Sequence, residues 1–273
     1  MRRKQGTFGT ASLTSRALCL GVLVTGLVLV FQPGARAADG IKKSTDTFNV
    51  DGKTIEVERF EPEAPGTYPA VIMLHGSGGL KQSGLLYRGG ALTVAREGFV
   101  ALLVHYFDRT GITEIDVKEI KKEQLVAWID TVRAAHAFAA RLPGVDKKRI
   151  ALVGFSLGAC LALAVAGQDD LPIAAVVDWF GCLPEKLRKT CKRLPPTLVI
   201  HSEADKTVPV AEAHAIKALL QEKKSVHEIA IYKNQEHLFL KDLLGKDFQD
   251  AKKRTLAFLA THLKGEETAG VTP

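Results

Sequence analysis

Residues 150–166 read IALVGFSLGACLALAVA. The opening apolar run has the length and composition of a buried strand, and the alanine- and leucine-rich run at the end favours a buried helix. Between the two runs lies G-x-S-x-G, with Ser156 at its centre. A strand, this motif and a helix in that order predict a nucleophile elbow, a sharp turn that lifts a serine hydroxyl above the edge of a sheet.

The two glycines of the motif also have a physical role. We expect strand and helix to approach so closely at this turn that a side chain at Gly154 or Gly158 would clash. The start of the helix would place free N–H groups and positive potential where an oxyanion forms. A chance five-residue match is the alternative, and the flanking strand and helix patterns argue against it.

The rest of the chain alternates predicted strands with predicted helices. A hairpin over residues 47–60 turns at Asp51-Gly52. The other strands are predicted at residues 68–74, 99–105, 173–177, 197–200 and 227–232, and the helices at residues 89–98, 118–142, 210–223 and 248–264. This alternation predicts an α/β fold, a mostly parallel sheet with helices on both faces, in one domain over residues 38–273.

Residues 1–37 have the layout of a secretory signal. A basic start is followed by an apolar run over residues 17–31 and by Ala35-Arg36-Ala37, which predicts cleavage after Ala37. An N-terminal membrane anchor is the alternative, although the apolar run is shorter than the roughly 20 residues that span a bilayer. We therefore expect a periplasmic or secreted protein.

Removing this segment changes the charge balance. The chain has 37 basic and 30 acidic residues, and five of the basic ones lie at positions 2, 3, 4, 16 and 36. The remainder has 32 basic and 30 acidic residues, so a nucleic-acid partner is not indicated. No cysteine and histidine spacing suggests a metal site, and we expect no cofactor. The partner expected is a small-molecule substrate, and the oligomeric state stays open.

The cysteines permit one further prediction. Cys182 and Cys191 bracket a short polar loop, and export to an oxidising compartment favours a disulfide between them. Two free thiols are the alternative. Cys160, on the helix after Ser156, is expected to be a small buried side chain.

The elbow predicts where its partners should lie. In this kind of fold the serine is followed by an acid and then a histidine, each in a loop after a strand. Asp205 follows the predicted strand 197–200, and His237 follows the predicted strand 227–232. His237 would accept the proton of Ser156, and Asp205 would orient the imidazole. Alternatives for the acid are Asp178 and Glu203.

These pieces together resemble the dienelactone hydrolase family. The similarity extends over nearly all of residues 38–273 and in the same order. It is carried by YPAVIMLHG at 68–76, HYFD at 105–108, VDKKRI at 145–150, GFSLG at 154–158, Asp205 with Pro209, and Tyr232 with His237 and Phe239. The resemblance implies an α/β-hydrolase fold that cleaves esters or lactones with Ser156, Asp205 and His237. It also implies that Ser77 and Leu157 supply the N–H groups of the oxyanion hole.

The chain departs from the family pattern at two positions. The enzymes that give the family its name use a cysteine where this chain has Ser156, and a glutamate where it has Gly76. The dienelactone substrate is therefore not implied. Basic residues hold the substrate carboxylate in those enzymes, which makes Arg109 and Lys241 rough counterparts and Tyr106 a further candidate.

The prediction is an exported serine hydrolase that acts through an acyl-enzyme. A peptidase or an acyltransferase on the same fold is an alternative, since a triad does not choose its leaving group. A non-catalytic binding protein that retains the fold is another, and the intact triad argues against it.

Overall fold

A computed structural model of the protein describes residues 40–168 and 170–264, with the backbone alone at 240–242. The predicted signal segment, residues 1–37, lies outside the described residues. The strands are β1 (Ile41–Val50), β2 (Lys53–Pro62), β3 (Tyr68–Leu74), β4 (Val100–Val104), β5 (Val145–Phe155), β6 (Ile173–Trp179), β7 (Thr197–Ser202) and β8 (His227–Tyr232). The helices are α1 (Gly79–Arg96), α2 (Lys122–Ala139), α3 (Leu157–Ala166), α4 (Glu185–Thr190), α5 (Ala211–Glu222) and α6 (Lys246–Leu263). None of the helices in the described ranges combines the length and the apolar character that a bilayer span requires.

All eight strands form one sheet, in the order β1-β2-β4-β3-β5-β6-β7-β8. The pairs β1–β2 and β2–β4 are antiparallel, and every pair from β4 to β8 is parallel. The predicted hairpin turn is present, with Asp51 at φ 45° and Gly52 at φ 75°, the left-handed conformations of a two-residue hairpin turn. The predicted fold class, a mostly parallel α/β sheet, is confirmed.

Helices cover both faces of the sheet, which explains why the central strands are apolar throughout. One face packs against α2, α3 and α5 through buried side chains such as Trp128, Leu161 and Ile216. The other packs against α1 and α6 through side chains such as Ala91 and Phe258. Because the carboxyl ends of β3 and β5 to β8 meet at one edge, the loops that follow these strands come together there.

The first helix differs from its prediction. It begins at residue 79 rather than 89 and is kinked at Ser83, where φ is −121°. The glycines in this stretch hide the apolar period, and glycine is a poor helix former. The second helix starts four residues later than predicted, because residues 117–119 form a separate 3-10 turn.

Candidate active site

The turn between β5 and α3 has the geometry of a nucleophile elbow. Ser156 has φ 53° and ψ −117°, a conformation that a residue with a side chain adopts only where its surroundings impose it. A Cβ at Gly154 would lie 2.4 Å from the backbone of Ala159, and one at Gly158 would lie 2.3 Å from the carbonyl oxygen of Leu74. Only glycine fits either position, because both contacts are with backbone atoms.

Three side chains from separate loops form a continuous hydrogen-bonded chain at this edge of the sheet. His237 Nε2 lies 2.8 Å from Ser156 Oγ. His237 Nδ1 lies 2.7 Å from Asp205 Oδ2. The imidazole also packs edge-on against the ring of Phe180, with the centroids 5.0 Å apart. The structure therefore brings together the serine, histidine and aspartate that the sequence selected, in the relation of a catalytic triad.

The surroundings of Asp205 favour its ionised form. Burial works against the charge of this carboxylate, but the hydrogen bonds that it accepts from His237 and from the N–H groups of Val208 and Thr207 outweigh burial and lower its pKa. Its Oδ1 accepts the two N–H groups, at 2.9 and 2.8 Å, which leaves Oδ2 for the imidazole. An ionised Asp205 holds the proton on Nδ1, so Nε2 is free to accept one from Ser156.

The alternative acids lie elsewhere. Asp178 is fully buried at the end of β6, where its Oδ1 accepts the N–H of Gly181 at 2.7 Å. Its Oδ2 has no hydrogen-bond partner among the described residues, and burial raises its pKa to about 7. Glu203 is exposed. Neither carboxylate has a hydrogen bond to His237 among the described residues.

The loop after β3 forms one wall beside the serine. A Cβ at Gly76 would lie 3.4 Å from the Cβ of Ser156. The N–H of Gly76 donates to the hydroxyl of Tyr87 at 3.0 Å. Within the described part of the chain, the N–H groups of Ser77 and Leu157 make no hydrogen bond. Both are therefore available to an oxyanion, whereas that of Gly76 is not.

Tyr87 is a site residue that sequence reasoning missed. It lies on α1, in the part of the helix that the sequence did not predict, and is almost fully buried. Burial raises the pKa of its hydroxyl above the ordinary value for tyrosine, so the group stays neutral. No local pattern could have selected this tyrosine, because its role depends on α1 packing against the loop after β3.

Ser156 and His237 open into a cleft of about 590 Å³ with a polar lining. The facing wall is the segment 114–119, which contributes the carboxylates of Glu114, Asp116 and Glu119. No lysine or arginine of the described ranges lines this cleft. Three acidic side chains, of which only Glu114 is paired among the described residues, with Lys81 at 3.9 Å, make the cleft unfavourable for a substrate carboxylate.

The predicted substrate-binding residues are therefore wrong where the structure describes them. The Arg109 guanidinium forms an ion pair with Asp51 at the turn between β1 and β2, and Arg109 does not line the cleft. Tyr106 has no exposed surface, and its hydroxyl donates to the carbonyl oxygen of His75 at 2.9 Å. Both are structural contacts. The side chain of Lys241 lies outside the described residues, so its role stays a prediction.

The predicted bridge between Cys182 and Cys191 is also wrong, since both thiols are free. The helix α4 lies between them in the chain. Cys182 instead lies against Cys160, with the sulfurs 2.6 Å apart and the Cys182 N–H donating to the Cys160 sulfur at 3.1 Å. Cys191 is buried beside Gly167.

One group of described side chains has the composition of a metal site, but it lies outside the cleft. Ligand atoms of Glu56, Glu58 and His105 are within 4.8 Å of one another. Both oxygens of Glu58 already accept hydrogen bonds from Arg88, at 2.6 and 2.7 Å. The guanidinium of Arg88 supplies the positive charge that a metal ion would bring. This group is therefore better described as an ion-pair cluster between β2 and α1.

The chain is similar in sequence to a known protein family. The model of the Dienelactone hydrolase family matches residues 55–263. The "Uncharacterized peptidase YtmA" of Bacillus subtilis is 24% identical over 214 residues, which cover 66% of this chain and 79% of that protein. The "Putative carboxymethylenebutenolidase" of Synechocystis is 26% identical over 199 residues, which cover 67% of this chain and 80% of that protein.

A solved structure gives the same result for the fold. The dienelactone hydrolase from Anabaena variabilis superimposes with a TM-score of 0.65 at 16% identity, covering 82% of this chain and 99% of that one. At this identity the likeness shows an α/β-hydrolase fold. The family match, which spans β2 to α6, goes further. The chain belongs to the dienelactone hydrolase family and is a hydrolase of that family.

Proposed function

We propose that this hydrolase is an exported serine esterase that cleaves carboxylic esters or lactones with Ser156, His237 and Asp205. The observation that carries the proposal is the hydrogen-bonded chain from Ser156 Oγ through His237 to Asp205, with separations of 2.8 and 2.7 Å. An enzyme requires all three groups in this relation, whereas a binding protein has no use for them.

The first half of the reaction forms an acyl-enzyme. Ser156 Oγ attacks the carbonyl carbon and gives its proton to His237 Nε2. The carbonyl electrons move onto oxygen, where the N–H groups of Ser77 and Leu157 stabilise the negative charge. The intermediate then collapses, the C–O bond to the alcohol breaks, and the alcohol leaves with the proton from His237.

The second half repeats these steps with water. His237 removes a proton from the water as it attacks the ester of Ser156. The tetrahedral intermediate breaks to release the carboxylic acid, and Ser156 recovers its proton from His237. Throughout, Asp205 holds the imidazole orientation and stabilises its positive charge.

Replacing the nucleophile tests this proposal. Ser156→Ala should lower kcat for a panel of nitrophenyl esters by about 10⁶-fold, as loss of a triad serine does in a comparable enzyme. A fluorophosphonate probe should label the wild-type protein at Ser156 and should not label the variant. Ser225→Ala, a serine change outside the cleft, is the matched control. Turnover that survives in Ser156→Ala would contradict the assignment, and an unlabelled, inactive wild-type protein would favour a binding role.

A peptidase is the second candidate, favoured by a specific observation. Glu114, Asp116 and Glu119 line the same cleft as Ser156, and their carboxylates would attract the free ammonium group of a peptide. One relative is named a peptidase. Aminoacyl nitroanilides compared with nitrophenyl esters of the same amino acids decide between the two. Amide cleavage that depends on the free amino group would select the peptidase.

Export is proposed on the pattern of residues 1–37 alone. The mature protein should begin at Ala38. Mass spectrometry of the protein recovered from the periplasm or the medium tests this. A recovered protein that still contains residues 17–31 would favour the membrane anchor.

A further inference from the structure

A second cavity adjoins the cleft and differs from it in character. It has a volume of about 580 Å³ and lies between α1 and α6, with the sheet as its floor. Side chains from β3, β5 and β6 form the floor: Met73, Val153, Phe155 and Trp179. The walls are mostly apolar, with Leu86 and Val94 from α1 and Phe248 and Leu256 from α6.

The cavity and the cleft share part of their lining. Gln82, Ser83 and Tyr87 of α1 line both, and so does Leu238, the residue after His237. Leu238 has φ 73°, a backbone conformation that a leucine adopts only under constraint. A group attached to the carbon that Ser156 attacks, or to the leaving oxygen, can therefore enter the cavity past Tyr87 and Leu238.

Two glycines in the wall of α1 keep the cavity open. Gly89 and Gly90 both line it, in the interior of an 18-residue helix where glycine weakens the helix relative to alanine. A Cβ at Gly89 would meet nothing within 4 Å, and one at Gly90 would meet only the terminal methyl of Met73, at 3.4 Å. Neither position requires a positive φ or a close backbone approach. A side chain at Gly90 would therefore occupy space in the cavity.

An apolar space of this size is uncommon in a protein interior, which packs as densely as an organic crystal. Its volume falls within the roughly 300–1,000 Å³ of ligand pockets. Leu85, which also lines it, is 88% exposed, so the cavity has a mouth at the surface in addition to its connection with the cleft. The cleft's acidic wall would repel an anionic substrate, whereas the cavity favours an uncharged apolar group.

We infer that this cavity binds the apolar arm of the substrate, an alkyl chain or aryl ring of an uncharged ester, while the ester bond lies at Ser156. The inference rests on the proposed esterase function and specifies its substrate class. It distinguishes this chain from an enzyme that selects small carboxylated lactones. Among the described residues, no arginine lines the cavity or the cleft, and Lys252 on α6 is the single lysine.

Two substrate series test the inference. One lengthens the acyl group of nitrophenyl esters from acetate upward, and the other lengthens the alcohol of acetate esters, all below their aggregation concentrations. In one of the series kcat/KM should rise by up to about fourfold for each methylene that enters the cavity. The series that rises identifies the arm that the cavity holds. Flat profiles in both series would overturn the inference.

Filling the cavity provides the decisive variant. Gly90→Leu should lower the ratio of long-chain to acetate kcat/KM at least tenfold, and Gly90→Ala should lower it far less. Lys253→Leu adds the same side chain at an exposed position of α6 that does not line the cavity and should leave the ratio unchanged. Should Gly90→Leu fail to fold, Leu256→Trp fills the cavity from α6. A length dependence that persists in the filled variants would overturn the inference.

A binding measurement separates this inference from the proposed chemistry. Trp179 lies in the floor of the cavity, and the other tryptophan, Trp128, packs on the opposite face of the sheet. Octanol added to Ser156→Ala should change the tryptophan fluorescence, and the change should be lost when Gly90→Leu is introduced as well. If no ester is cleaved and no probe labels Ser156, the esterase proposal fails, whatever the fluorescence shows. Ester cleavage without any fluorescence change would overturn the cavity assignment alone.

Discussion

Asp178 lies at the end of β6, and Asp205 follows the neighbouring parallel strand β7. Both are buried, but their surroundings shift their pKa values in opposite directions. Asp205 accepts hydrogen bonds from His237 and two N–H groups, which together lower its pKa against the effect of burial. Asp178 accepts one, from Gly181, and burial raises its pKa to about 7. The contrast teaches that the number of donors around a buried carboxylate decides the direction in which its pKa shifts.

The largest expected effect is a difference in turnover between variants of the two aspartates. Asp205→Asn should lower kcat by about 10⁴-fold, because an amide favours the wrong imidazole tautomer. Asp178→Asn should retain turnover within a few-fold, since Asp178 has no contact with the triad histidine. Ester hydrolysis by both purified variants at pH 8 checks this. Equal losses would mean that the comparison is mistaken.

The second effect concerns stability and pH. Because the folded pKa of Asp178 is raised, its contribution to stability is fully present below about pH 4 and is lost progressively as the pH rises to about 7. Asp178→Asn removes that loss, so its free energy of unfolding at pH 8 should exceed the wild-type value by up to about 4 kcal/mol. Urea unfolding at pH 4 and pH 8 measures the difference.

Asp205 should behave in the opposite sense. Its folded pKa is lowered, so its contribution is present above the unfolded pKa of about 4 and is lost as the pH falls through the folded value. Asp205→Asn should therefore cost stability at neutral pH, and this cost should shrink as the pH falls below the unfolded pKa. If both variants shifted stability in the same direction at pH 8, the two carboxylates would not differ as described.

A smaller effect tests Gly181, whose N–H is the single hydrogen-bond donor to Asp178 among the described residues. A Cβ at Gly181 would lie 2.5 Å from the Cβ of Ala159 and 2.6 Å from Asp178 Oδ1. Gly181→Ala should therefore force the loop after β6 to shift and destabilise the protein by about 1–3 kcal/mol. Gly89→Ala, whose Cβ would meet nothing within 4 Å, is the matched control and should be neutral or stabilising. Thermal unfolding of both variants provides the comparison.

The smallest effect concerns how the loop after β6 is held. Cys182, in the loop after β6, contacts Cys160 of α3, whereas Cys191 packs against Gly167. The loop is therefore held by its contact with α3 and is not joined to Cys191. Alkylation of the unreduced, denatured protein followed by peptide mass spectrometry should find Cys191 as a free thiol. A peptide pair joined through Cys182 and Cys191 would reinstate the bridge that the sequence predicts.

Much of the fold was predictable because the signals are local. The apolar runs of β3 to β8 and the Asp51-Gly52 turn are each decided by a few adjacent residues, and the structure has them within a few positions. The start of α1 was missed by ten residues, because Gly79, Gly84 and Gly89 interrupt the period that identifies a helix. Gly89 and its neighbour Gly90 line the cavity between α1 and α6, and no local pattern reveals that cavity.

The site residues likewise divide into those that the sequence predicted correctly and those that it did not. The order of serine, acid and histidine along the chain selected Ser156, Asp205 and His237, and the structure places them in hydrogen-bond contact. The substrate-binding predictions failed at Arg109, because its charge is neutralised by Asp51, 58 residues earlier in the chain. A partner at that separation depends on how the turn between β1 and β2 packs against the 3-10 turn Tyr106–Arg109, which follows β4.

By itself, the sequence determined the parallel sheet, the elbow at Ser156 and the loops from which its partners come, since periodicity and glycine sterics act between near neighbours. The tertiary structure alone decided which aspartate has its pKa lowered and which has it raised, which thiol Cys182 meets, the acidic wall of the cleft and the apolar cavity between α1 and α6. Each of these depends on burial and on distances between segments remote in the chain, and those are properties of the packed molecule.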